Sequence, residues 1–284
     1  MNRILGIDCS PHINKSVIEL LGGKVSIHNN PFQEGMSLDE YEMVILEAGR
    51  DQQYNVQQIR SLRYACNFRN LPIILVRSTR NHIPSQVYIM AGATEVLTLS
   101  DSPAACGQIL NGYLIPNRKP LQEEWEYLTP FVKNTCNVLE TMASLHVEFE
   151  DIYFSNGIKI FGDVSGIMGL SGNAEGTLVV TFHWSLAQTI IAKMMGIGED
   201  KLDAELIHDG VSEIINMISG STKREFVGTP YHFDISLPSV VVGSGHQVGH
   251  VHDTSIAVLI FRVGSQYFSL YVCIKPKNKN IRDQ

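Results

Sequence analysis

The first part of the chain alternates short apolar runs with longer segments of mixed polarity. The apolar runs, each of strand length, occupy residues 3–7, 43–46, 73–76 and 95–99. Segments of helical length lie between them, such as residues 55–67 and 85–90. Strands that alternate with helices predict an α/β domain with a parallel sheet, in which functional groups gather where the strands end.

A polar stretch at residues 116–120, which begins and ends with proline, interrupts this alternation. It carries no helical or strand periodicity, and proline-bounded polar segments are typical of linkers. We therefore expect two domains, residues 1–119 and residues 120–284.

Beyond this boundary the pattern changes to long helices and strands punctuated by glycine. The predicted elements are helices at 123–143, 185–195 and 203–226, hairpin strands within 149–183, and strands near 231–243, 255–263 and 267–274. Few of them form strand–helix–strand units, so we expect an antiparallel sheet and an α+β second domain.

Composition and cysteine usage indicate a folded protein of a reducing compartment. Of the 284 residues, 44% are hydrophobic and 18% charged, which is typical of a globular chain. No apolar run reaches the roughly 18 residues that span a bilayer, so no membrane is expected. The five cysteines are odd in number and form no CxxC pair, and the first residues do not form a secretory signal. We expect a cytoplasmic protein.

Charge is divided unevenly between the two predicted domains. Residues 1–119 contain 11 Lys and Arg against 10 Asp and Glu, a net charge of +1, whereas residues 120–284 contain 11 against 19, a net charge of −8. An acidic domain is a poor ligand for nucleic acid, so we expect no nucleic-acid partner. The same charge is also typical of a surface that only favours solubility.

The predicted helix at 203–226 has two chemically different faces. At about 100° per residue, one face collects five apolar side chains: Ile207, Val211, Ile214, Ile215 and Ile218. Asp209, Glu213 and Asn216, spaced i, i+4 and i+7, fall together on the opposite face. A polar outside is common to amphipathic helices, so this face by itself assigns no function.

The sequence around this helix resembles the CheX/CheC/FliY chemotaxis phosphatase family. The segment DGVSEIINMISGSTK at 209–223 is similar to the family signature D/S-x3-E-x2-N. The segments GDVSGIMGLSGNAEGTLVVTF at 162–182 and ISLPSVVVGSG at 235–245 occur in the family's order. The resemblance covers about residues 122–275 and, within the family, is to CheX.

This resemblance implies an enzyme that hydrolyses the phosphoaspartate of a separate, CheY-like response-regulator receiver. Glu213 would dock the partner through the partner's lysine, Asn216 would orient the attacking water, and Asp209 would support them. The partner would supply Mg²⁺, so no cofactor of the chain's own is expected, and CheX-like proteins are typically homodimers. Such phosphoryl transfer depends on an aligned nucleophile and charge neutralisation more than on a strong base.

The family contains a pseudo-repeat, and the matching stretch here is residues 132–137. Asn137 takes the place of the asparagine, but Asn134 stands where the glutamate would be. Without that carboxylate we expect the second face to be inactive, which leaves one site per chain.

The first domain resembles the response-regulator receiver family over most of residues 3–115, through LPIILV at 71–76 and AGATEVLTLSDSP at 91–103. In that family two acidic residues bind Mg²⁺, an Asp is phosphorylated, and a Thr or Ser and a Lys complete the pocket. The five matching positions here hold Asp8, Cys9, Glu47, Arg77 and Leu99. Because a thiol replaces one carboxylate and the lysine is missing, we expect no phosphorylation and a docking or dimerisation role.

Two interpretations of Glu47 remain open. On the first, its charge imitates the phosphorylated state and is paired with Arg77. Alternatively, the pocket is under no catalytic demand and a pair between Glu47 and Arg77 is incidental.

Two further features carry alternatives. The sequence contains an H-x3-H-x-H cluster formed by His246, His250 and His252, which would suit Zn²⁺ or Ni²⁺. No nearby side chain except Asp253 completes the set of ligands, and this favours a polar hairpin tip.

For the second domain, the alternative to a phosphatase is a non-catalytic adaptor that binds receivers through the same helix. The phosphatase requires Glu213 and Asn216 to be exposed together, and burial of either would favour the adaptor. Self-dephosphorylation of the attached receiver is not expected, because residue 47 is Glu.

Overall fold

The computed structural model describes ten stretches of the chain: residues 2–33, 35–38, 40–49, 51–67, 71–77, 83–100, 102–114, 119–155, 162–243 and 255–277. The chain divides into two compact units, residues 1–117 and 118–284, two residues before the predicted boundary. Every helix in the described stretches is too short or too polar to cross a membrane.

In its described part, the first unit is a parallel five-stranded sheet with helices. Its elements are β1 (Asn2–Ile7), α1 (Pro11–Leu20), β2 (Val25–Asn29), β3 (Met43–Glu47), α2 (Gln52–Ala65), β4 (Ile73–Arg77), α3 (Ser85–Met90), β5 (Glu95–Thr98) and α4 (Pro103–Tyr113). The strand order is β2-β1-β3-β4-β5, and each neighbouring pair is parallel. This order confirms the receiver-like α/β fold.

The strands differ in how clearly the sequence predicts them. Residues 43–46 and 73–76 are fully buried, because central strands of a covered parallel sheet are apolar on both sides. β2 is absent from the predicted runs. Ser26 and His28 interrupt its apolar positions, and as an edge strand it pairs only with β1 among the described strands.

A buried arginine holds several segments of the first unit together. Arg63 of α2 is 4% exposed, and its guanidinium donates to the carbonyl of Leu71 at 2.8 Å, the carbonyl of Gly92 at 3.0 Å and Thr94 Oγ1 at 3.0 Å. Arg63→Ala should lower the free energy of unfolding of this unit by about 3 kcal/mol, because it leaves buried acceptors unpaired.

Chemical denaturation of the full chain measures this change. Arg60→Ala, at an exposed position of the same helix, is the matched control and should change stability by less than about 0.5 kcal/mol. Equal effects of the two substitutions would mean that the buried network contributes no stability.

The second unit combines long helices with an antiparallel sheet. Its elements are α5 (Gln122–Ala143), β6 (Glu148–Ser155), β7 (Val164–Gly172), β8 (Ala174–Phe182), α6 (Trp184–Met195), α7 (Ala204–Glu225), β9 (Phe233–Ile235), β10 (Ser239–Val242), β11 (Ile256–Val263) and β12 (Gln266–Pro276). The sheet order is β10-β7-β8-β12-β11-β6, with β9 also pairing with β7, and these pairs are antiparallel. The α+β prediction is confirmed.

Two glycines let α7 approach its neighbours closely. A Cβ at Gly166 of β7 would lie 3.1 Å from side-chain atoms of Val211 and Ile215, so the missing side chain allows α7 to lie against the sheet. A Cβ at Gly210 of α7 would lie 2.7 Å from Ile191 of α6. The helix is therefore fixed against both the sheet and α6.

The ends and the inner face of α7 are also well defined. Asp203 caps its first turn, since Asp203 Oδ1 accepts a hydrogen bond from the Leu206 amide at 2.8 Å. The five isoleucine and valine residues of the predicted apolar stripe are each at most 1% exposed. This confirms the predicted buried face and leaves the opposite face outward.

Candidate functional site

The outward face of α7 carries Asp209, Glu213 and Asn216, which we call the acidic-amide face. Glu213 is exposed and Asn216, one turn further along, is half-buried. Neither side chain forms a hydrogen bond or ion pair with any residue that the structure describes. A rigid helix thus presents a carboxylate and an amide together, both available to a molecule that docks from outside.

Two like charges lie next to each other on this face. Asp209 precedes Glu213 by one helical turn, and its side chain is 74% exposed. Carboxylates spaced i, i+4 repel each other and weaken a helix slightly. Asp209 Oδ1 lies 3.4 Å from His208 Nδ1, on the flank of the face. The arrangement favours a partner that brings a positive charge to Glu213.

The pseudo-repeat on α5 is built differently from the acidic-amide face. Asn134 is only 7% exposed, and its amide donates to the Pro130 carbonyl and to Glu225 Oε1, both at 2.8 Å. Asn134 therefore links α5 to the end of α7. Asn137 is exposed, without a glutamate at the preceding motif position. Inactivity of this second face stays a prediction.

The acidic positions of the receiver-like pocket are engaged by the first unit itself. Glu47 Oε2 accepts a hydrogen bond from the Ser10 amide at 2.5 Å, at the start of α1. Asp8 Oδ2 accepts one from the Tyr54 hydroxyl at 2.9 Å. Burial raises the pKa of the Cys9 thiol to about 11, so this side chain stays protonated and is a poor ligand for Mg²⁺ at neutral pH.

Arg77 and Glu47 form no ion pair with each other within the described residues, although both interpretations of Glu47 allowed for one. The Arg77 guanidinium instead donates to Thr98 Oγ1 at 2.7 Å, to Ser85 Oγ at 3.2 Å and to the Ile83 carbonyl at 3.2 Å. It thereby connects β4 to β5 and to the start of α3. Leu99, at the lysine position, is half-buried against the apolar core.

Incubation with acetyl phosphate and Mg²⁺ should leave the chain unphosphorylated. The pocket holds a protonated thiol where a second carboxylate would bind Mg²⁺, and a leucine where a cation would neutralise the phosphoryl oxygens. Intact-mass spectrometry measures the outcome, with a CheY-type receiver in the same reaction as the positive control. Addition of a phosphoryl group within residues 1–117 would contradict the prediction.

Local sequence signals differ in how much of this site they reveal. The spacing of Asp209, Glu213 and Asn216 predicts one shared face, and the structure brings the three together. Gly210, which lets α6 approach α7, is a positioning residue that periodicity alone does not identify, although a glycine inside a helix is its signal. His246, His250 and His252 lie outside the described residues.

The second unit is an α+β domain in which helix α7 presents the acidic-amide face outward. Residues 164–262, which include Glu213 and Asn216, match the family described as chemotaxis phosphatase CheX. The second unit is therefore CheX-like.

Individual relatives are similar to the same half of the chain. A protein of Thermotoga maritima named CheY-P phosphatase CheX is 31% identical over 86 residues, which cover 30% of this chain and 56% of that protein, little more than half of its length. The crystal structure of chemotaxis protein CheX from Vibrio vulnificus is 33% identical and covers 53% of this chain and 99% of that one, with a TM-score of 0.48. The CheX–CheY–BeF₃–Mg²⁺ complex from Borrelia burgdorferi is 22% identical, covering 52% and 97% of the two chains, with a TM-score of 0.45.

Proposed function

We propose that the second unit hydrolyses the phosphoaspartate of a separate response-regulator receiver. Asn216 would position the attacking water and Glu213 would dock the partner, with Asp209 adding negative charge beside it. The observation that carries the proposal is that Glu213 and Asn216 are available together on an open helix face, inside the segment that matches the CheX family.

Further support comes from how the face is held. α7 is fixed by close contacts at Gly166 and Gly210, so the two side chains keep their spacing without help from a ligand. Prearranged groups lower the cost of aligning a reaction. The matching relative from Thermotoga maritima is named as a CheY-P phosphatase, which indicates a CheY-type receiver as the substrate class.

The chemistry asks little of this chain beyond alignment. The amide of Asn216 has both a donor and an acceptor, so it can hold a water molecule in line with the bond between phosphorus and the aspartyl oxygen. As the new phosphorus–oxygen bond forms, the bond to the aspartate breaks. The products are a free aspartate carboxylate and inorganic phosphate, which leaves as H₂PO₄⁻ with both protons of the attacking water. The partner would bring Mg²⁺ to neutralise the phosphoryl oxygens.

Decay of phosphorylated receivers tests the proposal. Receivers from the same organism are phosphorylated with radiolabelled acetyl phosphate, and loss of label is followed with and without the full chain. We expect one receiver to lose its label faster, with release of inorganic phosphate. Unchanged decay of every receiver would contradict the phosphatase. If a receiver nevertheless binds in a Glu213-dependent way, the adaptor function is supported instead.

Two further expectations accompany the proposal. We expect the chain to form a homodimer, and light scattering of the full chain measures its mass in solution. A cytoplasmic location fits the five free cysteines, and fractionation of cells checks it directly.

A further inference from the structure

The loop between β9 and β10 presents a large apolar side chain to solvent. Leu237 is 89% exposed, the highest value among the large hydrophobic residues that the structure describes as exposed. It belongs to the ISLPSVVVGSG segment, to which the proposed chemistry gives no role. A single exposed leucine is ordinary on a protein surface, so its setting decides whether it has a function.

The loop is held in place on both sides of Leu237. The Ser236 amide donates to the Gly169 carbonyl at 2.9 Å, and the Gly169 amide donates to Ser236 Oγ at 3.0 Å. Ser236 Oγ in turn donates to the carbonyl of Leu237 at 2.8 Å, and Pro238 restricts the following backbone. The outward direction of Leu237 is therefore built into the fold.

Contacts at the two ends of this segment place it beside α7. Asp234 Oδ1 lies 2.6 Å from Lys223 Nζ, near the end of the helix. Six residues later, Val240 pairs with Gly166, the glycine against which Val211 and Ile215 pack. The segment thus runs alongside α7 in the opposite direction. Leu237 lies between these two contacts along the chain.

A glycine leaves the neighbouring part of α7 bare. Gly220 lies one turn beyond Asn216 on the same face, and a Cβ there would meet no described atom within 4 Å. Gly210 differs, because a Cβ there would collide with Ile191. A glycine inside a helix weakens it relative to other residues, and no internal contact of the described chain requires Gly220. The bare surface suits close approach of another molecule.

We infer that Leu237 and Gly220 extend the acidic-amide face into the docking surface for the phosphorylated receiver. Leu237 contributes an apolar contact at the side of the phosphoaspartate, and Gly220 lets the partner's backbone come close to Asn216. The inference rests on the proposed function.

Charge favours a receiver over a second copy of this chain. Asp209 and Glu213 are exposed acids, and residues 120–284 carry a net charge of −8. Two copies would bring like charges together at this surface, whereas a receiver brings the lysine that the carboxylate of Glu213 would bind. The apolar contact at Leu237 then adds affinity without changing the chemistry.

Leu237→Ser tests the apolar contact through the steady-state kinetics of receiver dephosphorylation. We expect KM to rise about tenfold with kcat unchanged, because the partner no longer buries a leucine side chain. The matched control is Leu121→Ser, at a 55% exposed position before α5, which should leave both constants within about twofold.

Gly220→Gln separates docking from stability. Glutamine favours helix more than glycine does, so the melting temperature should rise, while KM for the receiver should also rise about tenfold because the side chain obstructs the partner. A purely structural glycine would not combine greater stability with weaker docking.

Unchanged KM in both variants overturns the inference even if the chain is a phosphatase. Conversion of a dimer to a monomer by Leu237→Ser, with KM unchanged, also overturns it and assigns the surface to a second copy. If the chain dephosphorylates no receiver, the proposed function fails and binding decides the inference. Weaker binding of a beryllofluoride-activated receiver by Leu237→Ser would support it, and equal binding or none would overturn it.

Discussion

Asn216→Ala should lower kcat for receiver dephosphorylation by at least about a hundredfold, because it removes the group proposed to align the attacking water. The KM for the receiver should change by less than about threefold, since the proposed docking contact at Glu213 remains. Stability should be nearly unchanged, because the Asn216 side chain forms no hydrogen bond with a described residue. Initial rates of phosphate release across receiver concentrations separate the two constants.

The pseudo-repeat provides a control of the same residue type. Asn137 on α5 is an exposed asparagine of a motif-like stretch, and Asn137→Ala should leave kcat within about twofold. A comparable loss in both variants would show that the second face is active. Full activity of Asn216→Ala would remove the proposed role of the amide.

Glu213→Gln should lower kcat/KM about a hundredfold, mainly through KM, because glutamine keeps the size of the side chain but loses the charge proposed to bind the partner's lysine. The substitution should not destabilise the chain: Glu213 has no ion pair with a described residue, and repulsion from Asp209 is relieved. Thermal unfolding of the two proteins checks this second expectation.

Salt dependence tests whether the effect of Glu213 is electrostatic. For the unsubstituted chain KM should increase as the salt concentration rises, and this dependence should weaken in Glu213→Gln. Glu205→Gln, at an exposed position in the first turn of α7, is the matched control and should behave like the unsubstituted chain. A Glu213→Gln variant that loses kcat at unchanged KM would move this residue from docking to the chemical step.

The first unit has a receiver-like fold whose pocket groups are used internally. Glu47 bonds to the start of α1, and Arg77 connects β4 with β5 and α3. Both side chains thus have structural contacts that do not depend on phosphorylation. This favours the interpretation that the pocket is under no catalytic demand over imitation of a phosphorylated aspartate.

The sequence by itself was sufficient for features that depend on local geometry. A helix of 3.6 residues per turn places residues i, i+4 and i+7 on one face whatever surrounds it. The shared face of Asp209, Glu213 and Asn216 and the buried stripe behind it therefore follow from spacing. The two fold classes follow in the same way from the order of apolar runs and turns. The edge strand β2 was not predicted, because polar residues interrupt its short apolar pattern.

Only the tertiary structure decided which side chains are available and which are engaged. Glu47 meets the Ser10 amide, Asn134 meets Glu225, and the loop carrying Leu237 lies along α7. The first two contacts join residues 37 and 91 positions apart. Periodicity carries no information on such distant pairs, because they are set by how helices and strands pack against one another. The exposure of Glu213 and of Leu237 is likewise a result of that packing.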